Sequence, residues 1–229
     1  MTTYPGITLT HSLLPENERD AVKLLGTYFA PLEPGQGYTG SQFDTWDPSG
    51  TAATNIDTFT ADDLVALTFL SVDVPARAAI ELLGRRRGEF SELLAAVGED
   101  RDLADADEPL DAESAAHRLN RALREFQGIG PTVASKLMAR KRPRLIPIYD
   151  KVINRHVLGG SGQQWEPMRQ ALRAEGCALQ RRLLELRATA GLDETVSALR
   201  IFDVLAWMDG KAADKARPVT YPVASHTAT

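Results

Sequence analysis

The run Phe126-Gln-Gly-Ile-Gly-Pro-Thr-Val-Ala-Ser-Lys-Leu137 makes the chain end one helix, reverse direction and begin another within a few residues. Gly128 can take a positive φ, and Gly130 keeps a Cβ out of the path of an approaching backbone. Pro131 suits the first position of the second helix, where no amide hydrogen is required. The pair is a helical hairpin over 117–140, and the rest of the pattern is helical too. Leu14, Val22, Leu25, Tyr28 and Phe29 recur at three- and four-residue spacing and predict a helix over 13–30. Thr60 with Asp63 reads as a capping box opening a helix over 62–71. Further helices are expected near 75–83, 89–97, 111–126, 164–188 and 193–208. The last is amphipathic through Val196, Leu199, Phe202, Leu205 and Trp207. No alternating strand is evident beyond short pieces near 4–10 or 143–149, so the fold class is all-α.

Between the first two helices lies a loop of about 28 residues, 31–59, well above the usual ~4–6. Glycines and prolines break it, and Tyr38, Phe43 and Trp46 stud it with aromatic rings. The chain therefore divides into an N-terminal helix and loop (1–59), a helical core (60–209) and a polar, flexible tail (210–229).

Charge is unevenly placed. The net formal charge of −5 argues against a polyanionic partner, but residues 117–155 carry ten basic and two acidic side chains, or +8, leaving −13 elsewhere. Eight acids and one arginine lie between Glu99 and Glu113, a solvated linker on this pattern. A polyanion senses the local field, so the hairpin segment is where it would bind. Free amides at the start of the second hairpin helix make a phosphate site. Lys136, Arg140, Lys141, Arg142 and Arg144 follow as candidates for neighbouring phosphates.

Other classes fall away. The single cysteine, Cys177, excludes a disulfide scaffold, a four-cysteine zinc site and a cysteine-held iron–sulfur cluster. His156 reads as a packed histidine of an apolar helix, and His11, His117 and His226 show no metal-ligand spacing, so neither metal nor cofactor is expected. No apolar run approaches the roughly 20 residues of a membrane helix, and the N-terminus lacks signal-peptide features, so a cytoplasmic protein is expected. Arginine outnumbers lysine twenty to six, the usage of a GC-rich bacterial genome.

After the hairpin comes Pro143-Arg-Leu-Ile-Pro-Ile-Tyr-Asp150, with Asp150 at the N-cap of an apolar helix over 150–158. A helix N-terminus beside Lys151 and Arg155 favours a charged carboxylate, which suits stabilisation of positive charge developing on a sugar. Gly128-Ile-Gly-Pro-Thr-Val-Ala, then Ile148-Tyr-Asp150 and Arg155, resembles the helix-hairpin-helix and Gly/Pro-Asp segment of endonuclease III-like DNA glycosylases. Asp63 to Ser71, followed by Ala76 to Leu83, resembles that family's early helix ending in Leu-Ser. Together these segments cover about half the chain. The resemblance implies two helical lobes with a cleft between them and places Asp150 at the catalytic aspartate. Thr132 falls where bifunctional members carry their Schiff-base lysine, so hydrolysis without a lyase step is implied. Asp73 stands where some members place a glutamine that fills the vacated base position, and the cluster cysteines of several members are absent.

The expected function is thus a monofunctional DNA N-glycosylase that flips a damaged or modified base into a pocket. Its DNA-binding residues would be Gly128, Gly130, Thr132, Lys136, Arg140, Lys141, Arg142, Lys151 and Arg155. Its base pocket would draw on Ser71, Tyr149, Tyr38, Phe43 and Trp46. The alternatives are a non-catalytic module that binds DNA structure and a protein-interaction domain without nucleic acid.

Overall fold

Thr60 opens the second long helix as its sequence demands. Its hydroxyl accepts from the Asp63 amide and the Asp63 carboxylate accepts from the Thr60 amide, so the capping box is complete. The computed structural model describes residues 3–216, and within them nearly all regular structure is helical. A two-stranded hairpin, β1 (Thr3–Tyr4) and β2 (Ile7–Thr8), precedes α1 (Glu18–Tyr28). Then follow α2 (Ala61–Phe69), α3 (Ala76–Ile80), α4 (Arg87–Val97), α5 (Ala115–Arg124) and α6 (Pro131–Lys141). The set ends with α7 (Lys151–His156), α8 (Trp165–Thr189) and α9 (Ala198–Ala216). The chain is all-α, and no described helix is long and apolar enough to cross a membrane.

The structure differs from the sequence pattern at three places. Helix α8 is interrupted by four non-helical residues, Ala174 to Cys177, of which Glu175, Gly176 and Cys177 take positive φ of 51, 63 and 65°. Helix α9 runs on to Ala216 because Asp214 is held by Arg155 and His156 of α7, each at 2.9 Å. Residues 210–216 are therefore helix and not flexible tail; the remainder of that tail, with His226, lies outside the described residues. The approach to α7 at 143–149 carries no strand, whereas the piece near 4–10 is the β1–β2 hairpin.

The core is one continuous cluster. Leu25, Phe43, Leu67, Leu94, Leu137, Leu172 and Leu205 all belong to it, so the division drawn at residue 59 does not separate packing units. Phe43 and Phe59 carry the 31–59 segment into the same core as α2, α6 and α9. Helix α9 reaches α7 at close range through Gly210, where a Cβ would run into Val152 and His156. That contact sets the end of the molecule on which Asp150 and the C-terminal half of α9 meet.

Candidate active site

The hairpin turn is built much as its glycines require, with one exchange of roles. Gly128 takes φ +89°, and a Cβ there would stand 2.6 Å from Pro75 Cγ. Close approach thus occurs at Gly128. Gly130, expected to admit a neighbouring backbone, has ordinary φ of −91° and no atom within 4 Å of a Cβ position. Gly128→Ala is expected to destabilise the fold by about 1–3 kcal/mol through left-handed strain and the Pro75 clash. Gly130→Ala should change stability by less than about 0.5 kcal/mol. Urea denaturation of both variants checks the contrast.

The basic cluster after the turn is internal except for Arg144, which is exposed, and this corrects the surface expected from sequence. Lys136, 5% exposed, donates from Nζ to the Leu70 carbonyl at 2.9 Å. Arg140 donates to Asp63 at 3.2 Å and to the carbonyls of Phe43, Asp44 and Trp46. Lys141 pairs with Asp63 at 2.6 Å and donates to the Asn55 carbonyl at 3.0 Å. Arg142, 4% exposed, binds Asp57 and the carbonyls of Ile56, Leu94 and Gly98. Arg144 is paired with Asp102 at 2.8 Å. A loop without secondary structure carries backbone carbonyls that need donors, and these guanidinium and ammonium groups supply them. Arg140, Lys141 and Arg142 are therefore clamps on the 43–57 loop. Of the remaining proposed contacts, Lys151 is exposed, and Arg155 is exposed but paired with Asp214.

Asp150 has the expected position. It is the N-cap of α7, its Oδ1 accepting from the Val152 amide at 2.7 Å. The preceding chain is pinned from two sides. Ser135 Oγ of α6 accepts from the Tyr149 amide at 2.9 Å, and Gln164 donates to the Ile148 carbonyl at 2.8 Å. Asp150 lines an open cavity of about 680 Å³ shared with Thr132, Lys136, Ser71, Tyr38 and residues of α1 and α9. Ser71, at φ 58°, ends the turn after α2 and contributes to the wall.

The aromatic wall differs from the expected set. Tyr38 is present, stacked on Tyr28 at 5.1 Å and 19°, with Trp207 edge-on to it at 6.1 Å. Phe43 is fully buried core, and Trp46 packs edge-on against Phe69 at 5.1 Å, so neither lines the cavity. Tyr149 is half-buried and outside the wall as well; its backbone, held by Ser135, is what matters. Tyr28, Trp207, Arg200 and Asp203 went unrecognised in the sequence. A signal for the last two existed: Arg200 and Asp203 interrupt the apolar stripe of α9 formed by Leu199, Phe202 and Leu205.

Arg200 is a fixed structural cation. It donates to Asp44 at 2.9 Å, Asp203 at 2.7 Å, the Tyr28 hydroxyl at 3.0 Å and the Gly40 carbonyl at 2.7 Å. The cavity floor thus carries Lys136, Asp203 and Asp150 beside this anchored guanidinium. Burial lowers the Lys136 ammonium pKa, an effect that Asp150 and Asp203 partly offset. Burial pushes Asp203 up to about 6 from 3.8, against the pull of Arg200 and Lys136. Between those two values the folded protein holds a proton that the unfolded chain has released. Wild-type stability should therefore fall by about 2 kcal/mol from pH 4 to pH 8 relative to Asp203→Asn. Parallel urea titrations at the two pH values measure that difference; an unchanged difference would remove the buried titration.

Among the described residues no group of three or more His, Cys, Asp or Glu side chains converges as metal ligands would. The chemistry on offer is that of a carboxylate at the edge of an aromatic cavity, with an ammonium and a second carboxylate inside. No curated protein and no solved structure matches the chain. A family model matches residues 21–210, spanning most of α1, the hairpin, Asp150 and most of α9, so the chain belongs to the family described as a family of unknown function, DUF6308.

Proposed function

We propose that the protein is a monofunctional DNA N-glycosylase of the helix-hairpin-helix type. The observation that carries this reading is the position of Asp150, a helix-capping carboxylate on the wall of an open, aromatic-sided cavity of about 680 Å³. That space accommodates a nucleobase turned out of a duplex, which needs a slot with stacking faces. Tyr38 and Trp207, both partly exposed, supply the faces, and buried Tyr28 backs Tyr38. As the bond between the sugar and the base nitrogen breaks, its electron pair leaves with the base. Asp150 stabilises the positive charge on the sugar, and water then adds at the anomeric carbon and gives up a proton, which the departed base takes up on the nitrogen that held the sugar. Thr132, where the resembled family's bifunctional members carry their Schiff-base lysine, lines the same cavity and offers no amine; the amines there belong to Lys136, Lys151 and Lys211.

Phosphate contacts fall to groups other than the internal cluster. The α6 N-terminus at Gly130–Thr132 leads directly to the cavity, whose mouth carries exposed Lys151 and Lys211. On the far side of the turn, exposed Arg77 borders a second groove beside Gly128, and Arg124 ends α5.

The test is release of free base under single-turnover conditions from duplexes carrying deaminated, oxidised and alkylated bases. The expected product is free base plus an abasic site that breaks only on alkali treatment. Binding that weakens steeply with salt, with no base released from any duplex, would replace this reading with a non-catalytic binding module. No binding at low salt would leave only a protein-interaction role.

A further inference from the structure

We propose that the cavity selects the lactam edge of a nucleobase, in which a ring carbonyl adjoins a ring N–H: Lys136 donates to the carbonyl oxygen and Asp203 accepts from the N–H. The inference rests on the glycosylase reading for how a base arrives, and it names the substrate class. Hypoxanthine, uracil and related oxo bases carry that edge; adenine and cytosine present an amidine edge instead.

The polar groups of the cavity differ in how much hydrogen-bonding capacity they retain. Arg200 is locked by four hydrogen bonds to Asp44, Asp203, Tyr28 and Gly40. Asp150 has one oxygen committed to the Val152 amide and the other facing the sugar in the reaction above. Lys136 Nζ donates one of its three hydrogens, to Leu70, leaving two. Asp203 receives Arg200 on Oδ2 at 2.7 Å, and its Oδ1 has no partner among the described residues. The floor therefore offers one donor that cannot accept and one acceptor that, ionised, cannot donate. Lys136 is held by the Leu70 carbonyl and Asp203 by Arg200.

Stacking by Tyr38 and Trp207, together with the glycosidic bond facing Asp150, fixes how a base is seated. In that seat an oxo purine sets its carbonyl against the ammonium and its ring N–H against the carboxylate. The amino purine of the same shape reverses both contacts, placing an NH₂ against Lys136 and a bare ring nitrogen against Asp203. A buried polar site left unpaired in this way rejects the wrong ligand far more strongly than a change of size does.

The experiment is a titration of the purified full-length protein with free hypoxanthine and free adenine, read by Trp207 fluorescence, with Trp207→Phe identifying the cavity signal. Hypoxanthine is expected to bind at least about tenfold more tightly than adenine, a difference of about 1.4 kcal/mol. In Asp203→Asn the ratio should fall below about threefold, because an amide can present either a donor or an acceptor. Equal or reversed wild-type affinities, no saturation by either base at millimolar concentration, or a full ratio retained in Asp203→Asn would each overturn the proposal. The wild-type ratio needs no variant to fold. Free-base binding also needs no bond cleavage, so the ratio is read independently of catalysis. A preference for hypoxanthine without base release from DNA would sink the glycosylase reading alone. Base release without that preference would sink only the lactam assignment.

Discussion

Asp150→Asn is expected to slow base release by about a thousandfold while leaving the protein folded. The variant separates the two tasks of this side chain. Asparagine caps a helix about as well as aspartate, so its carbonyl oxygen can take over the 2.7 Å contact with the Val152 amide. The Ser135 and Gln164 contacts that hold residues 148–149 are untouched. What disappears is the negative charge that opposes the cation forming on the sugar. Single-turnover rates beside a thermal melt report the two tasks independently. A variant that releases base within tenfold of wild type, with an unchanged melt, would remove Asp150 from the chemistry.

The second large effect concerns stability. Asp63→Ala should cost about 3–5 kcal/mol, because it leaves two buried cations without their anion. Asp63 is 3% exposed and faces Arg140 at 3.2 Å and Lys141 at 2.6 Å, while also completing the α2 cap through the Thr60 amide at 2.8 Å. For a chain of this size such a loss lowers the melting temperature by about 10 °C. Lys141→Glu and Arg142→Glu should likewise act on the melt, with no change in the salt dependence of DNA binding in whatever protein remains folded. A loss under 1 kcal/mol in Asp63→Ala would mean that water reaches the two cations when the carboxylate is gone.

The local grammar of the chain was largely legible. The Thr60–Asp63 box, the positive φ of Gly128 and the Asp150 cap each depend on a few neighbouring residues, and each is found as read. The fate of the basic run was not legible, because its partners are remote. Arg140 meets Asp63 across 77 positions and Phe43 across 97, and nothing local to 140–142 separates a solvated patch from a set of clamps. Four of the ten basic side chains over 117–155, Lys136, Arg140, Lys141 and Arg142, therefore face carbonyls and carboxylates inside the protein, and the other six are exposed. The cavity was half legible. Asp150, Ser71 and Tyr38 were identified, but its floor pairs α1 with α9, and Arg200 reaches Tyr28 across 172 positions. The α8 break carries only Gly176 as a local cue; nothing in Glu175 or Cys177 marks a left-handed residue.

Those long spans bear on how the chain matures during synthesis. A ribosome delivers the 31–59 segment long before the side chains that hold it. The Phe43 carbonyl waits 97 residues for Arg140, and the Gly40 carbonyl waits 160 for Arg200. At about 5–20 residues per second, this leaves an aromatic-bearing stretch without its donors for about 5–30 seconds. Tyr38 and Trp207 can meet only after the first half of α9, residues 198–207, has left the exit tunnel. The site is accordingly among the last parts of the molecule to form, and a nascent chain cut short before α9 has no cavity.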